Sequence, residues 1–185
     1  MRVLLLLPAA GYANADFKAA ADALSVEILT CADYCHQLAP AWGLPPLMSV
    51  PFDQPDVALP QVLAALKQPV DAVLAIDDHG QALAARLRVA LGLPGNPPAA
   101  VARLTDKLRF RDLQASLGLP HPEFVALTDD LDAAALPAFP VVVKARRLNA
   151  SRGVIRADDP GQLVQAVQRV CRVQARAQRE PAPLL

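Results

Sequence analysis

Four short apolar runs, at residues 3–7, 26–30, 47–50 and 72–76, constrain what this chain can fold into more than any other feature. Each has the length and make-up of a buried strand. After the first come turn residues Gly11 and Asn14 and an alanine-rich helix over 16–24. The second is followed by a proline-rich passage (Pro40, Pro45, Pro46), and the third by Leu59, Val62, Leu63 and Leu66 on one helical face. The fourth runs into Asp77, Asp78, His79 and Gly80, then a helix marked by Leu83, Leu87 and Leu91 that stops at Gly92. Strand–helix steps of this kind imply an α/β fold, a parallel sheet with helices on its faces. Ligands of such sheets sit beyond the carboxyl ends of the strands. Asp77 and Asp78 stand at one such end, which makes them candidates for contact with a substrate amine; the competing reading is a helix N-cap.

The breakers of GLPGNPP, residues 92–98, close that first domain. The pattern beyond them predicts one helix over 99–117, with Leu104, Leu108 and Leu113 inward, Thr105, Asp106 and Lys107 riding on it, and Gly118 as its stop. A strand over 123–127, a short helix over 129–136 and two strands around Lys144 follow. A last helix opens at Asp159–Pro160 with Leu163, Val167 and Val170 on its buried stripe. The expected division is therefore 1–95 and 96–185.

VVVKARRLNASRGV, residues 141–154, carries the chemistry. Its β-branched run reads as a strand covered on both faces. Lys144 closes it, and an unpaired buried ammonium costs several kcal/mol, so this lysine must reach water or meet an anion. The loop beyond is short and basic. Ser151, Arg152 and Gly153 offer side-chain and backbone donors that can converge on phosphate oxygens. A hairpin with a solvated basic turn is the bland alternative.

Composition narrows the function classes. With 54% hydrophobic and 19% charged residues the chain is a folded one. Eighteen basic residues balance eighteen acidic ones, which argues against nucleic acid or anionic membrane as the main partner. No apolar run has the length to span a bilayer. The apolar start is broken by Pro8 and carries one positive residue, which favours a first strand over a signal peptide. Three cysteines, an odd number, fit reduced thiols in the cytoplasm. Cys31, Cys35 and His36 lie close together, but no partner pair follows to complete a metal site. The first βα turn, PAAGYANADF, lacks the Gly-x-Gly-x-x-Gly that brings backbone close to a pyrophosphate, which weakens a dinucleotide-binding reading.

Taken in order, GLPGNPP, AAVARLTDKLRFRDLQASLGLPHPEF, FPVVVKARRLNASRGV and the ADDP that opens the last helix resemble the ATP-grasp superfamily. The nearest likeness is to its carboxylate–amine ligases of the amino-acid or dipeptide kind, and it covers nearly the whole chain. The resemblance implies a Rossmann-like, parallel-sheet pre-ATP-grasp domain over 1–95. A linker helix and the first nucleotide-binding subdomain of the grasp would then fill 96–185. It implies ATP as ligand: Lys144 reaches the α-phosphate and adenine region, Lys107 approaches the phosphates from the linker helix, and Ser151, Arg152 and Gly153 fold over the β- and γ-phosphates. In that family ATP phosphorylates a carboxylate and an amine then attacks the acyl phosphate, so small carboxylate and amine substrates are implied too. Many relatives have a glycine-rich loop where this chain has RRLNAS, and fewer glycines leave more of the contacts to side chains.

Relatives also continue from a segment like REPAPLL into an adenine-holding hinge and a second subdomain with the Mg²⁺ ligands and most catalytic arginines. The expectation is thus the ATP-binding half of a ligase, with the Mg²⁺ ligands supplied elsewhere and no turnover by itself. Self-association through an unpaired edge and apolar surface is expected as well. The alternative is a non-catalytic nucleotide- or partner-binding module with a degenerate form of the same fold.

Overall fold

Leu4 and Leu6 point to one side of the first strand and Leu5 and Leu7 to the other, and all four are buried. A strand buried on both faces belongs inside a parallel sheet. In the computed structural model this strand, β1 (Arg2–Leu7), lies between β2 (Glu27–Ala32) and β4 (Ala72–Ala75), with β3 (Met48–Ser49) beyond β2. All three pairings are parallel, with Leu4 opposite Leu29 on one side and Val73 on the other. The structure describes residues 1–8, 13–33, 47–127, 136–177 and 183–184, which divide into two units, Met1–Ala102 and Arg103–Leu185.

In the first unit, Leu4 and Leu6 meet Ala58 and Val62 of α2 (Pro55–Ala65), Leu83 and Leu87 of α3 (Gln81–Ala90), and the ring of Phe52. Each large side chain buried in this way contributes about 1.5–3 kcal/mol. The other face of β1 packs against Phe17 of α1 (Asn14–Ala23), Ile28 and Ile76. Gly92, just past α3, has φ +66°, a left-handed conformation that glycine adopts without steric cost. Cys31 is a core residue of this sheet, while Cys35 and His36 lie outside the described residues.

The helix expected over 99–117 is two helices, α4 (Pro98–Leu104) and α5 (Lys107–Ser116). The break is at Asp106, whose backbone is extended (φ −120°, ψ 112°) and whose carboxylate accepts the Leu108 and Arg109 N–H groups. These are orphan donors of a first turn, and an aspartate N-cap satisfies them. The inward leucines are corrected with it: Leu104 is 56% exposed and α5 has no buried residue. Residues 123–127 form no strand beyond a single bridge at Ala126, although Val125 and Leu127 pack on the second core. Most of the helix expected over 129–136 lies outside the described residues.

The second unit is built on β5 (Val141–Ala145), the centre of an antiparallel sheet ordered β6-β5-β7, with β6 at Val154–Ala157 and β7 at Pro183–Leu184. Val141, Val143 and Ala145 pack on Leu163, Ala166 and Val170 of α6 (Pro160–Arg176). Asp159 caps α6 by accepting the Gln162 N–H at 2.8 Å, with Pro160 in the first turn. Alternation along β5 puts Val142 and Lys144 on the face away from α6. Among the described residues, no helix is long and apolar enough to cross a membrane.

Candidate functional site

The face of β5 that α6 leaves uncovered forms one wall of a cleft of about 380 Å³. Val142, Lys144 and Pro140 line that wall; Lys107, Phe110 and Arg111 come from α5, and Pro122, Glu123 and Phe124 from the segment after it. Aromatic and aliphatic walls with a few charged groups are the make-up of a small-molecule site, and the volume falls in that range. Lys144 is half-buried, and among the described residues no hydrogen bond or ion pair holds its ammonium. A cation so placed gains most from an anionic ligand.

β5 leads directly into the turn of residues 146–153. The Ala145 N–H donates to the Gly153 carbonyl at 2.8 Å, and the Arg152 N–H donates to the Asn149 carbonyl at 3.1 Å. The Arg152 guanidinium also donates to Asn149 Oδ1 at 2.9 Å. Leu148 roots the turn in the second core, whereas Ser151 and Arg152 are exposed. Ala150, Ser151 and Gly153 all have positive φ, at 50°, 57° and 66°. Gly153 is required there, because a Cβ would lie 3.0 Å from that of Ala145. Ala150 and Ser151 take the same left-handed region without being glycine, at a cost of roughly 1–2 kcal/mol each. The loop thus reaches a glycine-like path with few glycines, and backbone N–H groups in such turns form anion-binding concavities.

The start of α5 is fastened to this turn. The Asp106 carboxylate is buried and accepts two bonds from Arg146, Nε to Oδ1 at 3.2 Å and Nη2 to Oδ2 at 2.7 Å. Arg147 Nε adds a third at 3.3 Å. Burial alone would raise this carboxyl's pKa, but the bonds from Arg146, the Arg109 N–H and Arg147 outweigh it and hold the group below the ordinary aspartate value. Beside it, the Lys107 N–H donates to the Arg146 carbonyl at 3.1 Å. Its ammonium donates to the carbonyls of Leu148 at 2.7 Å and Arg146 at 3.4 Å. Asp106, Arg146 and Arg147 were not singled out as site residues from the sequence. The available signal was an aspartate followed by a lysine and an apolar residue, the pattern of an N-cap, set inside what reads as one helix.

Of the residues proposed from the sequence, Lys107 and Lys144 line one cleft, and Ser151, Arg152 and Gly153 lie in the turn that continues β5. Asp77 and Asp78 belong to the first unit. Asp77 caps a 3₁₀ turn by accepting the His79 N–H at 3.0 Å, and Asp78 is exposed. Among the described residues, no group of three or more His, Cys, Asp or Glu side chains is placed to hold a metal ion.

Comparison with known proteins agrees with this architecture. No family model matches the chain. A D-alanine–D-alanine ligase of Stutzerimonas stutzeri strain A1501 is 35% identical over 80 residues, which is 40% of this chain and 26% of that protein. The L-amino acid ligase of Bacillus licheniformis superposes on 99% of the chain with TM-score 0.71 and 21% identity, over 43% of its own length. D-alanine–D-alanine ligase of Bacillus anthracis covers the whole chain with TM-score 0.66 and 16% identity, over 56% of its length. A carboxyaminoimidazole ribonucleotide synthase of Aspergillus clavatus, solved with ATP, covers 99% with TM-score 0.67 and 17% identity, over 46% of its length. The chain spans about half the length of these structures. Its fold is the one that these ligases and the synthase share over about half of their length, here an α/β unit with a parallel sheet followed by a unit with an antiparallel sheet.

Proposed function

We propose that this chain supplies the ATP-binding half of a carboxylate–amine ligase that works through an acyl phosphate. In the first step a substrate carboxylate oxygen attacks the γ-phosphorus and ADP leaves. An amine then attacks the acyl carbon, an amide bond forms, and inorganic phosphate departs. Catalysis of this kind is mainly positioning plus neutralisation of charge by fixed cations.

One observation carries the reading: the Lys144 ammonium, with no partner among the described residues, shares an aromatic and aliphatic cleft with Lys107, beside a basic turn. The apolar walls suit a base and sugar, and Lys144 is assigned to the α-phosphate and adenine edge. Ser151, Arg152 and the Gly153 backbone are assigned to the β- and γ-phosphates. Lys107 contributes positive charge at the root of the turn it holds. Asp77 accepts the His79 N–H as a cap, and exposed Asp78 beside it is assigned to a substrate amine. ATP in this chemistry is used with Mg²⁺; the described residues offer no cluster to hold it, so no residue of this chain is assigned to the ion. A cytoplasmic setting fits the use of ATP.

A thermal-shift titration with ATP, against sulfate at equal ionic strength, tests the assignment on wild type, Lys144→Ala and Lys107→Ala. With affinity near millimolar, several millimolar ATP should stabilise the wild type by about 1–2 kcal/mol. Losing the Lys144 contact should weaken ATP about ten- to hundred-fold, the worth of one charge-assisted bond. Lys107→Ala should also lower the melting temperature without ligand, because it removes the bonds to the Arg146 and Leu148 carbonyls. An ATP shift no larger than that of sulfate, or an unchanged response in Lys144→Ala, would overturn the reading.

A further inference from the structure

We infer that Asp106 is a positioning residue for the phosphate-binding turn, acting through Arg146 and Arg147 without touching the ligand. The inference rests on the nucleotide reading above and extends it to residues that reading leaves without a role. Asp106 is 1% exposed, so no ligand can reach its carboxylate. One oxygen receives the Leu108 and Arg109 N–H groups and fixes where α5 begins. The same carboxylate takes Arg146 in a two-point fork and Arg147 in a third bond. A fork on a planar guanidinium fixes direction as well as distance, which a lysine cannot do. Arg146 and Arg147 open the turn that carries Ser151, Arg152 and Gly153, so one buried group sets both the helix start and the turn.

The arrangement also carries a ligand preference. Arg146 and Arg147 meet the one Asp106 carboxylate and open a basic turn. A turn of this kind offers its side-chain and backbone donors to a polyanion such as a di- or triphosphate. A neutral nucleoside gains nothing from it.

Two variants test this. Asp106→Asn keeps an acceptor for the cap and removes the charge; Arg146→Lys keeps the charge and removes the fork. Calorimetry with ATP and with adenosine should show ATP affinity falling about tenfold in each variant while adenosine affinity holds. Trypsin should cut after Arg147 and Arg152 about tenfold faster than in wild type, with cleavage in the first unit unchanged. Equal losses for ATP and adenosine, or no loss for either, would overturn the inference, as would unchanged cleavage in the turn. Should Asp106→Asn fail to fold, Arg146→Lys decides both arms. A wild type that binds no ATP would sink the proposed function, and the cleavage comparison alone would then judge the anchoring.

Discussion

Nε2 of His79 lies 2.5 Å from Oδ2 of Asp33, which joins the segment after β4 to the segment after β2 across the end of β1. The other oxygen of Asp33 accepts the Phe52 N–H at 3.3 Å, and the buried Phe52 ring lies 6.0 Å from the imidazole. One carboxylate therefore organises the carboxyl end of the parallel sheet, where ligands of such sheets bind.

Asp33→Ala should cost about 1–3 kcal/mol, because it removes the acceptor of the part-buried Phe52 N–H and the contact to His79 Nε2. His79→Ala should cost less, since Asp33 keeps the Phe52 bond. Urea unfolding followed by circular dichroism on both single variants and the double should give a coupling of about 0.5–3 kcal/mol. Strictly additive effects would show that the short contact contributes nothing.

Substitutions in the β5–β6 turn should act with opposite signs at neighbouring positions. Gly153→Ala forces a side chain into a left-handed backbone 3.0 Å from the Ala145 Cβ and 3.6 Å from Val170 Cγ1. A loss of about 1–3 kcal/mol is expected. Ala150→Gly relieves the same backbone penalty at φ 50° and should be neutral or stabilising by up to about 1 kcal/mol. Melting temperatures of the two variants that fell together would contradict the left-handed assignment at Ala150.

The parts of the fold legible in the sequence were those written in local pattern. The leucine run of β1, the β-branched run of β5 and the Asp159–Pro160 start of α6 each state their structure within a few residues, although β5 is covered by α6 on one face only, where the run read as covered on both. Asp106 could not be read so simply. Apolar spacing continues through Leu104 and Leu108, and two of the groups that make the break worthwhile, Arg146 and Arg147, come from 40 and 41 residues away. Residues 123–127 misled for a related reason: Val125 and Leu127 are partly buried by packing on the second core, an apolar pattern like that of a strand but without a ladder. The site was legible as a set of residue types, Lys144 and a basic turn. That the Lys107 ammonium bonds the carbonyls of that turn depends on long-range geometry that spacing does not encode.

Thiol chemistry should separate the cysteines. Cys31 is fully buried, and burial, with a smaller contribution from Asp33, pushes its thiol up to about 12 despite a backbone bond at Ala32 that lowers it. The thiolate is the reactive form, so Cys31 should stay unlabelled by iodoacetamide at pH 8 in the native protein. Cys171, which is partly exposed, should label faster. Peptide mapping should find both modified once the chain is unfolded in urea; native labelling of Cys31 at the rate of Cys171 would contradict its burial.

Acid sensitivity follows from Asp106. Its folded pKa lies below the ordinary 3.8, so between the two values the unfolded chain binds more protons than the folded one. Stability then rises with pH across that window: the carboxylate's contribution is fully present above the unfolded value and is lost as pH falls through the folded one. Asp106→Asn cannot gain or lose this proton. The variant should be less stable than wild type at pH 7, and the gap should narrow as pH drops below 3.8. Removing a buried partner of two arginines places the neutral-pH cost at about 3–5 kcal/mol. Urea midpoints at pH 7, 5, 4 and 3 for both proteins measure the gap directly. A difference that stays constant down to pH 3 would mean that the carboxyl binds its proton equally in the folded and unfolded chain, contradicting the lowered pKa, and one that widens would reverse the sign argued here.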